Sequence, residues 1–81
     1  MTGPHSARLA FEYPSPEAAA LVDRSVSQEL GEIDGDRTTT TVDRDGQTVT
    51  VTVSADDLTA LRAGLNTWTT LVEVAESVAG V

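Results

Sequence analysis

The residues best placed to do chemistry are four aspartates, Asp34, Asp36, Asp43 and Asp45, because closely spaced carboxylates can share a divalent cation. A calcium loop of the EF-hand kind needs D-x-D-x-D-G and a closing Glu, and these aspartates are not set in one. They read as solvated loop carboxylates. His5, the single histidine, sits near the start of the chain with no acid or nucleophile at a useful spacing. With no cysteine there is no disulfide framework, thiolate metal site or thiol nucleophile. These patterns predict no catalytic residue, no metal and no cofactor. Arg62 and Asn66, four apart on the polar side of a helix, are candidates for contact with RNA or a partner, although the same spacing also suits an ordinary intrahelical pair. Trp68 falls on an apolar stripe and is read as a packing residue rather than a base-stacking platform.

The element that must position these side chains is a long helix over about 55–79. Leu58, Leu61, Leu65, Trp68, Val72, Ala75 and Ala79 recur at steps of three and four and so share one stripe. Ser54 with Asp57 offers an S-x-x-D capping box, and Gly80 stops the helix. Ala60, Ala63, Thr67, Leu71, Val74 and Val78 form an adjoining low-polarity stripe, which widens the apolar arc to about 220° at ~100° per residue. A helix of about two dozen residues spans ~36 Å, whereas strands of about seven residues span only ~23 Å. Part of the helix must therefore overhang its own sheet, and the second stripe needs a further neighbour.

The rest of the chain supplies that sheet. His5 to Tyr13 alternates, with Ala7, Leu9, Phe11 and Tyr13 on one side, and predicts a strand over about 6–13. Ser15-Pro16-Glu17 then opens a helix over about 16–30, whose apolar face is Ala18, Leu21, Val22, Val26 and Leu30. Gly31 ends it, and Glu32 to Asp36 is a polar link with Ile33 folded back under the helix. Strands follow over about 37–43 and 47–53. Asp45-Gly46 suits a type I′ turn that sets Arg44 opposite Gln47, Val42 opposite Val49, Thr40 opposite Val51 and Thr38 opposite Val53. All the valines then share one face, and threonines cover the other. The order β-α-β-β-α predicts an α+β fold in one domain over 1–81. It consists of a three-stranded antiparallel sheet of order 1-3-2, a split β-α-β with a right-handed crossover, and two helices on one face.

Composition narrows the setting. The 81 residues hold thirteen Asp and Glu against five Arg, with no Lys and twelve Thr, a bias that matches proteins of salt-loving archaea. No apolar run is long enough for a signal segment or a membrane span, so the expected location is cytoplasmic, away from any membrane. So small a core is only marginally sufficient alone, which favours a partner that completes the burial.

The run Ala55 to Trp68, A-D-D-L-T-A-L-R-A-G-L-N-T-W, resembles the C-terminal helix of the small, dimer-forming subunit of the KEOPS complex. That family also includes the cancer/testis-antigen-like proteins. The core of the likeness is D-L-x-x-L-R-A-x-L-N-[ST]. The front of the chain agrees, with F-E-Y-P-S-P followed by E-A-A-A-L-V-D-R-S-V, and the likeness extends from about Arg8 to Val78. It implies a non-catalytic subunit that forms homodimers. Its helices would pack with helices of the actin-like ATPase subunit, which transfers threonylcarbamoyl to the adenosine beside the anticodon of certain tRNAs. The subunit would bridge such catalytic subunits, with tRNA contact indirect or weak. The partner surface is expected on the second stripe, at Leu71, Val74 and Val78, with Ala60, Ala63 and Gly64 allowing close approach. Two rival classes are a free-standing small RNA-binding α/β module and a small acyl-phosphate hydrolase. Against the first, the open face has no aromatic and almost no positive charge, and the second lacks a glycine-rich loop, since Pro14-Ser15-Pro16 stands in its place.

Overall fold

β3 is the middle strand because it alone carries valine at every core-facing position of the sheet's centre. In the computed structural model, which describes residues 4–30 and 37–81, the element order is β1 (His5–Glu12), α1 (Pro16–Ser27), β2 (Thr38–Asp45), β3 (Thr48–Ala55) and α2 (Leu58–Ala79). The sheet order is β1-β3-β2, with β3 antiparallel to both neighbours. Val49, Val51 and Val53 are fully buried. α2 packs on β3 and β1, α1 packs on β2 and β3, and the two helices lie side by side on the valine face. This is the α+β architecture expected from the pattern of elements.

The hairpin differs from the expected register. Asp45 pairs with Thr48, Arg44 with Val49, Val42 with Val51, Thr40 with Val53 and Thr38 with Ala55. The two-residue turn is Gly46-Gln47, one position later than expected. Only Gly46 has positive φ, at 61°, the pattern of a type II′ turn, which spares Gln47 the left-handed conformation a type I′ turn would impose. The valines stay on the core face because the register moves by two residues.

Both helices begin with a side-chain cap. Ser15 caps α1 by accepting from the Ala18 amide at 3.1 Å, with Pro16 following in the first turn. For α2 the cap is Asp57, which accepts from the Ala60 amide at 2.7 Å, and not Ser54. Ser54 belongs to β3, opposite Ser6 and Thr39, because the strand continues to Ala55. α2 therefore starts at Leu58 instead of Ala55. Arg37 forms an ion pair with Asp57, and the Asp56 amide donates to the Arg37 carbonyl at 3.0 Å, which ties the start of β2 to the start of α2. At its other end α2 stops at Gly80, whose φ of 77° is the left-handed cap.

The core contains Val22, Val26, Trp68 and Val72 around the three strand valines. Tyr13 follows β1 and turns under α2, where its hydroxyl donates to Glu76 Oε2 at 2.7 Å. Two expected core leucines lie outside. Leu21 is 47% exposed because Ala18 and Ala19 already fill the contact beneath α1, and Leu58 is 62% exposed in the first turn of α2, at the margin of the stripe. α1 ends at Ser27 with a turn over 28–30. Gly31, the link over 32–36 with Ile33, and the aspartates Asp34 and Asp36 lie outside the described residues.

Candidate partner-binding surface

α1 returns the chain from the end of β1 to the start of β2, so it runs parallel to β3, and α2 runs back against both. The groove between these antiparallel helices has a volume of about 240 Å³ and is lined by Ser25, Val26, Gln28 and Glu29 of α1 and Leu71, Val74 and Ala75 of α2. A second, shallower depression of about 370 Å³ lies on the outer side of α2 and is lined by Asn66, Thr67, Thr70 and Leu71. Leu71 is common to both.

Two residues of the expected partner stripe stand clear of the core: Val74 is 56% and Val78 is 81% exposed. Leu71 is half-buried against the core, and Ala63 is exposed. Ala60 packs partly on the core. Gly64 faces its own sheet: a Cβ there would meet Val53 Cγ1 at 3.0 Å and Thr38 Cγ2 at 3.7 Å. Its small size serves the seating of α2 on β3 and β2. Leu21, read from the sequence as core, lies one turn before Ser25, and the antiparallel arrangement carries it toward Val78. The exposed apolar ridge thus draws on both helices. A narrow Ala18-Ala19 contact face was the signal that Leu21 would be displaced from the core.

Arg62 and Asn66 are both exposed on the outer side of α2. No hydrogen bond joins them among the described residues; instead the Thr70 hydroxyl donates to the Asn66 carbonyl at 3.0 Å. The open face of the sheet consists of Ser6, Arg8, Ala10 and Glu12 on β1, Thr48, Thr50, Thr52 and Ser54 on β3, and Thr39, Thr41, Asp43 and Asp45 on β2. It has no aromatic side chain and one cation, a composition ill-suited to stacking bases or tracking phosphates. Among the described residues no group of three or more His, Cys, Asp or Glu is arranged to hold a metal ion, and no helix is long and apolar enough to cross a membrane. At Tyr13 burial, then its hydrogen bond to Glu76 and the charge of that carboxylate, push the phenol well above its ordinary range.

The arrangement offers an exposed apolar ridge beside a groove of mixed polar and apolar lining between two antiparallel helices, a surface suited to packing against a further helix. The family model described as transcription factor Pcc1 matches residues 6–80, and so takes in all five elements. The chain belongs to the Pcc1 family. This is a family of KEOPS-complex subunits, in keeping with the resemblance read from the α2 motif. The Pcc1 match includes both helices that build the groove and the exposed ridge residues Leu21, Val74 and Val78. No curated protein matches the chain.

Proposed function

We propose that this protein is the non-catalytic dimerisation and scaffold subunit of a KEOPS complex, working as a homodimer that bridges actin-like ATPase subunits. In this role it supports threonylcarbamoyladenosine modification of tRNA in the cytoplasm of a salt-loving archaeon, and touches tRNA weakly or not at all. The carrying observation is the exposure of Val74 and Val78 beside the α1–α2 groove in a chain of the Pcc1 family. Burying a valine side chain is worth about 1.5 to 3 kcal/mol, so a partner helix seated there gains several kcal/mol from this ridge with Leu71 and Leu21. Ala63, exposed on the same side, lets the partner approach closely, and Arg62 and Asn66 lie within reach of its rim.

The decisive experiment uses Val74→Glu and Val78→Glu. Both side chains are largely exposed already, so the thermal midpoint of the isolated protein should move by no more than the equivalent of about 0.5 kcal/mol. Copurification with the actin-like subunit should be lost. Leu71→Glu is a poorer probe, since Leu71 is half-buried and its loss would also disturb the groove. Undiminished binding by the double variant would remove the ridge from the partner surface. ATP hydrolysis or tRNA modification that follows the purified chain alone and disappears on a point substitution would overturn the non-catalytic reading.

A further inference from the structure

We infer that the α1–α2 groove receives one arginine of the partner helix, with the Glu29 carboxylate as the acceptor for its guanidinium. The inference rests on the partner reading proposed above and names the side chain that anchors it.

The local physics around Glu29 does not favour a carboxylate. α1 ends at Ser27, and the amides of Glu29 and Leu30 donate to the carbonyls of Val26 and Ser27 at 3.0 and 3.2 Å, closing the helix in one tighter turn. Glu29 therefore sits at the negative end of the α1 dipole, where a cation is the stabilising choice. It is half-buried, and its side chain takes part in no ion pair or hydrogen bond among the described residues. Asp23 on the same helix shows the contrast, because its carboxylate accepts from the Ser27 hydroxyl at 2.9 Å and lies 3.9 Å from Arg44. A half-buried charge that breaks a local rule and finds no partner in its own chain points to a partner outside it.

The two walls of the groove specify the occupant. At about 240 Å³ it is smaller than the ~300–1,000 Å³ of small-molecule pockets and suits one large side chain. Leu71, Val74 and Ala75 make the α2 wall apolar, whereas Ser25, Gln28 and Glu29 give the α1 wall a hydroxyl, an amide and a carboxylate, all able to accept. An aliphatic or aromatic anchor would cover the apolar wall but take water from Glu29 without replacing it, which is costly. Lysine brings a compact, strongly hydrated charge that is harder to strip of water beside Leu71 and Val74. Arginine matches both walls. Its methylene stem can lie along the apolar side, while its planar fork of five donors bonds the carboxylate through two parallel N–H···O bonds and keeps donors for Gln28 or Ser25. Val74 belongs to both the groove and the exposed ridge, so a helix packed on Val74 and Val78 carries its flanking side chains directly over Glu29. A pair formed in this half-buried place also persists in concentrated salt, which screens exposed pairs first.

The test uses the complex of the full chain with the actin-like subunit. Glu29→Gln keeps the shape and removes the charge, and should weaken binding on the order of tenfold. The thermal midpoint of the isolated variant should hold or rise slightly, because a negative charge leaves the wrong end of the dipole. Each interface arginine of the actin-like subunit is then changed to lysine and measured against both the wild type and Glu29→Gln. One of them should cost on the order of tenfold against the wild type and little against Glu29→Gln, the signature of a direct pair. Undiminished binding by Glu29→Gln, with Val74→Glu still abolishing it, would overturn the anchor and leave the ridge standing. A fall in the midpoint of Glu29→Gln would show a pairing within the chain and overturn it as well. Weakened binding with no coupled arginine would overturn the guanidinium. A wild-type chain that does not copurify with the actin-like subunit would overturn the partner reading itself, and the anchor with it.

Discussion

Tyr13→Phe isolates one hydrogen bond and one titration at the same time. The chain has a single tyrosine and no cysteine or lysine, and arginine stays charged beyond pH ~12, so between about pH 9 and 12 Tyr13 is the only side chain able to titrate. Its ordinary pKa is near 10, and in the fold burial and Glu76 raise it. The neutral phenol is thus favoured by folding. Its stabilisation is complete below pH ~10 and is lost as pH rises toward the folded value, because the unfolded chain releases the proton first. At about pH 11 the loss amounts to ~1.4 kcal/mol. For a domain of this size that lowers the thermal midpoint by roughly 6 to 11 °C. Phenylalanine removes the donor to Glu76, a charge-assisted bond worth about 1 to 2 kcal/mol where the freed carboxylate can take up water, so the variant should be less stable at neutral pH. Above pH ~10 its midpoint should be flat where the wild type falls. Thermal unfolding by circular dichroism across this range, with tyrosinate absorbance as a second readout, decides the matter. Parallel alkaline losses in both proteins, or a folded-state tyrosinate midpoint at the ordinary value, would refute the reasoning.

Three further outcomes follow from the packing and the charge. Trp68→Ala empties the most voluminous fully buried site and should cost about 3 to 5 kcal/mol, read as a large drop in the urea midpoint. Asp57→Ala removes the α2 cap and should cost about 1 kcal/mol, whereas Arg37→Ala, which breaks only the exposed ion pair, should cost less. A formal net charge of −8 repels itself over ~10 Å at 0.1 M salt but only ~3 Å at 1 M, so transfer from concentrated KCl to dilute buffer should lower the helical circular dichroism signal. An unchanged spectrum would show that screening is not needed.

Element order and sheet order were legible because the valine strand has to be central and the alternating helices leave few topologies. The α2 boundary was not, since Ser54 and Asp57 are both good caps and the choice between them depends on how far β3 is paired by its neighbours. Nor was the fate of Leu21 and Leu58 legible: periodicity ranks residues around a helix but says nothing about how wide a contact the sheet provides. The apolar ridge was half legible. Val74 and Val78 of the second stripe stand exposed, while the close approach offered by Gly64 is taken up by Val53 and Thr38 within the same chain. Tyr13 bonding to Glu76 joins residues 63 apart and has no local signature.

The strictly alternating Thr and Val of β3 bear on how the chain finds its register. A slip of two residues against β2 keeps valines inside and threonines outside, so the hairpin alone distinguishes the two pairings only by its turn. The cradle beneath Gly64 does distinguish them, because Val53 and Thr38 approach it from adjacent strands along a diagonal, and a slipped hairpin would bring these two residues face to face. Docking of α2 therefore favours the observed pairing over the slipped one, because the seat for Gly64 is built by this diagonal pair of side chains from two strands.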